Sequence, residues 1–149
     1  MTDMQKILIV EDDEQTVLFI SQILENHDYQ YSVARNGAEA LEAMKEDLPS
    51  LVLLDIMMPR KSGVNVYQQM RKDQNLEKIP IIIVTGASQI TGVDMKTGEE
   101  ESKESYGDDF ARGFGTWLKE KLDGIAPEGF IEKPVDPPVL VAMIKELLP

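Results

Sequence analysis

"ILIVEDDE", residues 7–14, sets four aliphatic side chains directly before four acidic ones. An unbroken apolar run of this length suits a strand buried on both faces, the kind that parallel sheets use. Glu11, Asp12, Asp13 and Glu14 then crowd at its C-terminal end, where like charges raise one another's energy. Acids gathered there are either left to solvent or given a cation to hold.

Working outward, five strand candidates alternate with helical patterns: "KILIV" (6–10), "YSVAR" (31–35), "LVLL" (51–54), "IIIVT" (81–85) and "GFIE" (129–132). Val17, Ile20 and Leu24 recur at helical spacing between the first two, with Asp13 placed as N-cap. "NGAEALEAMKEDLP" predicts a turn and a short helix carrying Leu41 and Met44, stopped by Pro49. Gly63 to Lys72 reads as a third helix, and Pro80 closes the loop before the fourth strand. In "VDPPVLVAMIKELL", Asp136 is the expected N-cap, with prolines in the first turn of an apolar helix. His27 falls at the end of the first helix, where a cation suits the dipole.

Such alternation predicts an α/β fold, a parallel sheet covered on both faces, with ligands bound beyond the carboxyl ends of its strands. The connection from Thr85 to Gly129 is far longer than a helical crossover needs. It contains "DMKTGEEESKESYGDD" (94–109), seven acids against two lysines, which reads as a solvated stretch. The following "FARGFGTWLKEKLDG" can form a helix burying Phe110, Phe114, Trp117 and Leu118, weakened by Gly113 and Gly115. One domain spanning 1–149 with an insertion at about 90–125 is the expected organisation.

Composition narrows the function. A formal charge of −12 disfavours direct contact with nucleic acid or anionic lipid and favours divalent cations and basic partner patches. The absence of cysteine excludes disulfides, thiolate metal sites and cysteine nucleophiles, and agrees with a cytoplasmic location. The N-terminus has an acid before its apolar run and no small-residue cleavage site, so no secretory leader is expected. No apolar stretch approaches membrane-spanning length.

Three strand ends converge in this scheme. The first brings Glu11 and Asp12, the third ends in Asp55, and the fifth leads to Lys133, with Thr85 closing the fourth beside them. A hard divalent cation such as Mg²⁺ would resolve the crowding of carboxylates. Asp55 would then be free to attack phosphorus, with cationic and hydroxyl groups around the phosphoryl oxygens. Taken singly, Glu11 and Asp12 read as solvated loop acids, Thr85 as an ordinary strand end, Lys133 as a surface lysine and Phe130 as core. Asp55, between Leu54 and Ile56, is harder to treat that way, since a buried carboxylate has a partner or a task.

"ILIVEDDE", "LVLLDIMMP" with "SG" at 62–63, "IIIVTGA" and "GFIEKP" together resemble the receiver domain of bacterial two-component response regulators, in order along most of the chain. The resemblance implies a CheY-like, flavodoxin-like (βα)5 fold with five parallel strands in the order 2-1-3-4-5. It implies Asp55 as phospho-acceptor and Asp12, Glu11, Asp55 and the Met57 backbone carbonyl around Mg²⁺, with Mn²⁺ as an alternative ion. Thr85 and Phe130 would be switch residues, Lys133 the phosphate-contacting lysine, and the Lys133–Pro134 bond cis. Gly86 would leave the phosphoryl group unshielded and so relatively hydrolysable. A sensor histidine kinase or phosphotransfer protein is the implied donor. With no DNA-binding or catalytic segment after Leu148, output is expected through a downstream protein, homodimerisation being open.

Competing readings meet specific obstacles. A haloacid-dehalogenase-type phosphatase needs a second Asp two residues after its nucleophile, where this chain has Met57. A flavodoxin-type cofactor binder needs a phosphate cradle after its first strand, and "EDDE" repels phosphate. A degenerate receiver acting only as a binding module would have lost the acceptor or the lysine, and both are present. The chain is therefore expected to act as a signalling switch, not as an enzyme turning over a separate substrate.

Overall fold

The computed structural model describes residues 5–58, 62–86 and 128–148, without the side chains of Ser62 and Thr85. Its elements are β1 (Lys6–Val10), α1 (Glu14–Asn26), β2 (Gln30–Ala34), α2 (Gly37–Glu46), β3 (Leu51–Asp55), α3 (Ser62–Lys72), β4 (Ile81–Gly86), β5 (Gly129–Lys133) and α4 (Pro137–Leu147). All four strand pairings are parallel, and the sheet order is β2-β1-β3-β4-β5. This is the expected doubly wound α/β fold. The acidic stretch, the helix expected at 110–124 and the insertion at about 90–125 lie outside the described residues.

Strand alternation assigns each apolar residue to one of two cores. Leu8, Val10, Val52, Leu54, Ile81 and Ile83 face α2 and α3, joined by Met44, Tyr67 and Met70. Ile7, Ile9, Leu51, Leu53, Ile82 and Val84 face α1 and α4, joined by Ile20, Leu24, Leu140 and Ile144. Side chains pointing to opposite faces at every second residue make both faces apolar, so the central strands cannot alternate with polar residues. Each fully buried aliphatic side chain contributes about 1.5–3 kcal/mol relative to exposure, and β1 and β3 place all but Lys6 and Asp55 in that state as apolar groups.

Helix starts follow local chemistry. Asp13 Oδ2 accepts from the Thr16 backbone N–H at 2.9 Å and from the Thr16 hydroxyl at 2.6 Å. Asn36 Oδ1 accepts from Glu39 N–H at 2.9 Å, and Glu39 Oε1 accepts from Arg35 N–H at 2.8 Å, a reciprocal cap. That second bond explains why β2 ends at Ala34, one residue short of the expected boundary: the Arg35 amide belongs to the helix start. Asp136 does occupy the N-cap of α4, but its side chain makes no capping bond; Pro137 and Pro138 remove donors that a cap would otherwise satisfy. His27 is the C-cap of α1, its ring Nδ1 3.1 Å from the Ile23 carbonyl oxygen.

β3, β4 and β5 each run one residue beyond the expected end. The ladders continue through Asp55 opposite Val84 and Gly86 opposite Lys133. Two of those extra residues, Asp55 and Lys133, carry candidate chemistry, so both sit on strand backbone as it leaves the sheet, while Glu11 and Asp12 follow directly after β1.

Candidate functional site

β1 delivers Glu11 to the carboxyl edge of the sheet, its amide bonded to the Ala34 carbonyl at 3.0 Å. The side chain is 2% exposed, and Glu11 Oε2 accepts from Asp13 N–H at 3.2 Å. Asp12 follows it and is exposed. Asp55, 1% exposed, closes β3 with its Oδ1 accepting from Met57 N–H at 3.0 Å. Among the described residues its Oδ2 has no hydrogen-bond partner. One carboxylate oxygen from each of Glu11, Asp12 and Asp55 lies within 4.8 Å of the others.

Lys133 reaches across from β5, its Nζ 3.0 Å from Glu11 Oε1 and 3.7 Å from Asp55 Oδ2. The ammonium is therefore nearer the neighbouring acid than the expected acceptor. Burial first, and then the adjacent Asp55, push the Glu11 carboxyl up to about 8, against the opposing pull of Lys133. Asp13 is held below the usual carboxylate range by its bonds to Thr16, as a helix cap should be.

Three carboxylates against one ammonium leave negative charge uncompensated in a buried place, and a proton on Glu11 is the compensation this chain has by itself. An all-oxygen donor set with an unpartnered buried oxygen is the chemistry that a hard divalent cation takes. The residues fit such an ion.

Thr85 is the penultimate residue of β4, opposite Glu132, its side chain outside the described residues. Phe130 pairs with Ile83 and is partly buried against the α2/α3 core. Met57 sits half-buried in the turn after Asp55, and the Lys133–Pro134 peptide is cis. Gly63 was legible only as part of a motif, and the structure gives it a physical reason. A Cβ there would lie 2.2 Å from the Asp55 carbonyl oxygen, so α3 can press against the end of β3 only with glycine at that place.

Residues 7–97, well over half of the chain, match the family described as the response regulator receiver domain. The chain belongs to this family. It is 29% identical over 144 residues to the polar-differentiation response regulator DivK of Brucella anthropi, covering 97% of this receiver and 96% of that protein. Protein PilH of Pseudomonas aeruginosa is 34% identical over 103 residues, covering 69% of this receiver and 84% of PilH. In fold, the receiver resembles a response regulator receiver domain protein (CheY-like) from Methanospirillum hungatei, with a TM-score of 0.69 at 24% identity over 98% of this chain and 94% of that one. A response regulator structure from Chloroflexus aurantiacus gives 0.72 at 20% identity, with 98% of each chain covered. The family's business is phosphorylation-dependent signalling, and its relatives here are signalling proteins, not members of a catalytic enzyme family. Among the described residues no helix of the receiver is long and apolar enough to cross a membrane.

Proposed function

We propose that this receiver is a phosphorylation-dependent switch that takes a phosphoryl group onto Asp55 from the phosphohistidine of a sensor kinase or phosphotransfer protein. Asp55 Oδ2 attacks phosphorus, the new bond makes a mixed acyl phosphate, and the breaking P–N bond returns its electron pair to the donor's imidazole. The observation that carries this reading is a buried carboxylate oxygen without a hydrogen-bond partner, facing the Lys133 ammonium at 3.7 Å and flanked by two further acids.

Glu11, Asp12, Asp55 and the Met57 carbonyl are the groups that would hold Mg²⁺, or Mn²⁺ in its place. When bound, the ion supplies neutralising charge to the phosphoryl oxygens and the entering carboxylate. Lys133, released from Glu11, turns its ammonium to the same oxygens. The Thr85 hydroxyl closes the remaining side, and Phe130 follows that movement as the element read by partners. Asp13 stays out of the chemistry, because its oxygen is committed to capping α1.

The whole chain, 1–149, acts as one receiver domain carrying an insertion at about 90–125, working in the cytoplasm. Its signal passes through protein contacts, with no direct role for nucleic acid or membrane. Incubation with Mg²⁺ and a small acyl phosphate tests the reading. The expected result is an acid-stable, base-labile mass gain of one phosphoryl group, lost in Asp55→Asn and in excess chelator. Sustained release of phosphate from unrelated esters, or no adduct with any donor, would overturn it.

A further inference from the structure

The edge of the sheet remote from the carboxylates holds another buried charge. Arg71, in the last turn of α3, has a side chain 7% exposed. Its Nη1 donates to the carbonyls of Glu77 at 2.9 Å and Ile79 at 3.3 Å, and its Nη2 meets Glu128 Oε1 at 2.6 Å. The guanidinium lies 4.9 Å from the centre of the Tyr67 ring. Glu128 Oε1 also accepts from Ile81 N–H at 2.8 Å, while Glu128 N–H donates to the Ile81 carbonyl at 3.0 Å. One ion pair thus joins α3, the turn before β4, the first residue of β4 and the entrance to β5.

The location matters for the register of β5. Among the described residues it is an edge strand of five residues paired with β4 alone, and Gly129 is far from Gly86 along the chain. A slip of one residue would exchange the strand's two faces, but a slip of two would keep them and carry Lys133 about 7 Å along the sheet. Gly129, next to Glu128, lies close under the Met143 and Ile82 side chains. A Cβ in its place would lie 2.6 Å from Met143 Sδ and 3.1 Å from Ile82 Cγ1.

We propose that Arg71 is a positioning residue for phosphoryl acceptance: through Glu128 it locks the register of β5, and so fixes where Lys133 meets Glu11 and Asp55. The proposal rests on the reading of Asp55 as acceptor and extends it to the opposite end of the sheet. Arg71 touches none of the reacting groups. Its effect travels along one strand, from Glu128 to Lys133.

Arg71→Gln, Arg71→Lys and Glu128→Gln test this, each compared with wild type under conditions where circular dichroism shows it folded. Cross-strand amide contacts by NMR, Ile83 to Phe130 and Gly86 to Lys133, report register directly. Phosphoryl uptake from a small acyl phosphate at saturating Mg²⁺ reports the site. Arg71→Gln should weaken both contacts and slow uptake about tenfold or more, since an ångström of misplacement is costly. Arg71→Lys should recover part of the rate, and Glu128→Gln, which keeps an acceptor for Ile81, should show a smaller loss. Mg²⁺ affinity should not fall, because the acids ride on β1 and β3. A folded variant with wild-type contacts and uptake overturns the proposal. So does a fall in Mg²⁺ affinity that parallels uptake, the mark of a general loosening. If Arg71→Gln does not fold, Glu128→Gln decides by the same readouts. Should wild type accept no phosphoryl group, the acceptor reading fails alone, and the strand contacts still decide the register lock.

Discussion

At the carboxyl edge of the sheet, Glu11 and Asp55 are buried beside the Lys133 ammonium, and among the described residues Asp55 Oδ2 has no hydrogen-bond partner. At the opposite edge, Arg71 is buried against two carbonyls, a carboxylate and an aromatic ring, and among the described residues its Nε alone lacks a partner. Both places take charge out of water, which is costly unless it is paired. One is nearly complete within the chain. The other, among the described residues, gathers three carboxylates about one ammonium, a donor set that suits a hard divalent cation. The two ends of the sheet therefore hold buried charge differently, and substitutions should act with opposite signs at the two edges.

The most severe test is Asp55→Asn. Phosphoryl uptake should fall by more than about 10³-fold, because an amide is not a competent nucleophile here. Yet the unfolding free energy from urea melts should rise by about 1 kcal/mol, since a buried carboxylate beside Glu11 has lost its charge. Loss of stability instead would mean that the carboxylate edge is as self-sufficient as the other one. Gly63→Ala probes backbone at the same edge. Its Cβ would meet the Asp55 carbonyl, and overpacking of this kind costs about 3 kcal/mol, read by denaturant melt. Arg71→Leu should destabilise by about 2–3 kcal/mol, leaving Glu128 and two carbonyls short of their donor, with partly exposed Glu128 softening the loss.

Glu11 supplies the pH dependence. Its carboxyl binds a proton more tightly in the folded chain, at about 8, than at its ordinary value of 4.5. Between those values the native state holds more protons than the unfolded one, so its contribution to stability falls as pH rises. In chelator, going from about pH 5.5 to about pH 8 should cost about 2 kcal/mol, and Glu11→Gln should flatten that slope. Mg²⁺ should restore most at the alkaline end, where no proton competes. The smallest effect is kept for a neutral group near the same edge. Asn36→Ala removes the cap of α2 and should cost about 1 kcal/mol with no pH dependence, which would separate charge from mere position.

Much of this was legible before any coordinates. The aliphatic runs of β1 and β3 read as doubly buried strands because burial on both faces tolerates no polar alternation. Asp13 and Asn36 read as caps because a short oxygen-bearing side chain is what a helix start needs. The end of β1 matched, whereas the ends of β2, β3, β4 and β5 each differed by one residue. The periodicity marks where apolar burial stops, whereas the backbone ladder runs on beneath Asp55 and Lys133.

What the sequence by itself determined is the local physics: strand faces, helix starts, and acids stationed where a parallel sheet opens. The tertiary structure alone decided the pairings between distant segments. It set Lys133 closer to Glu11 than to Asp55, pressed Gly63 onto the Asp55 carbonyl, and joined Arg71 to Glu128. Such contacts depend on how helices and strands pack after they form, and no short-range periodicity encodes a partner 57 positions away.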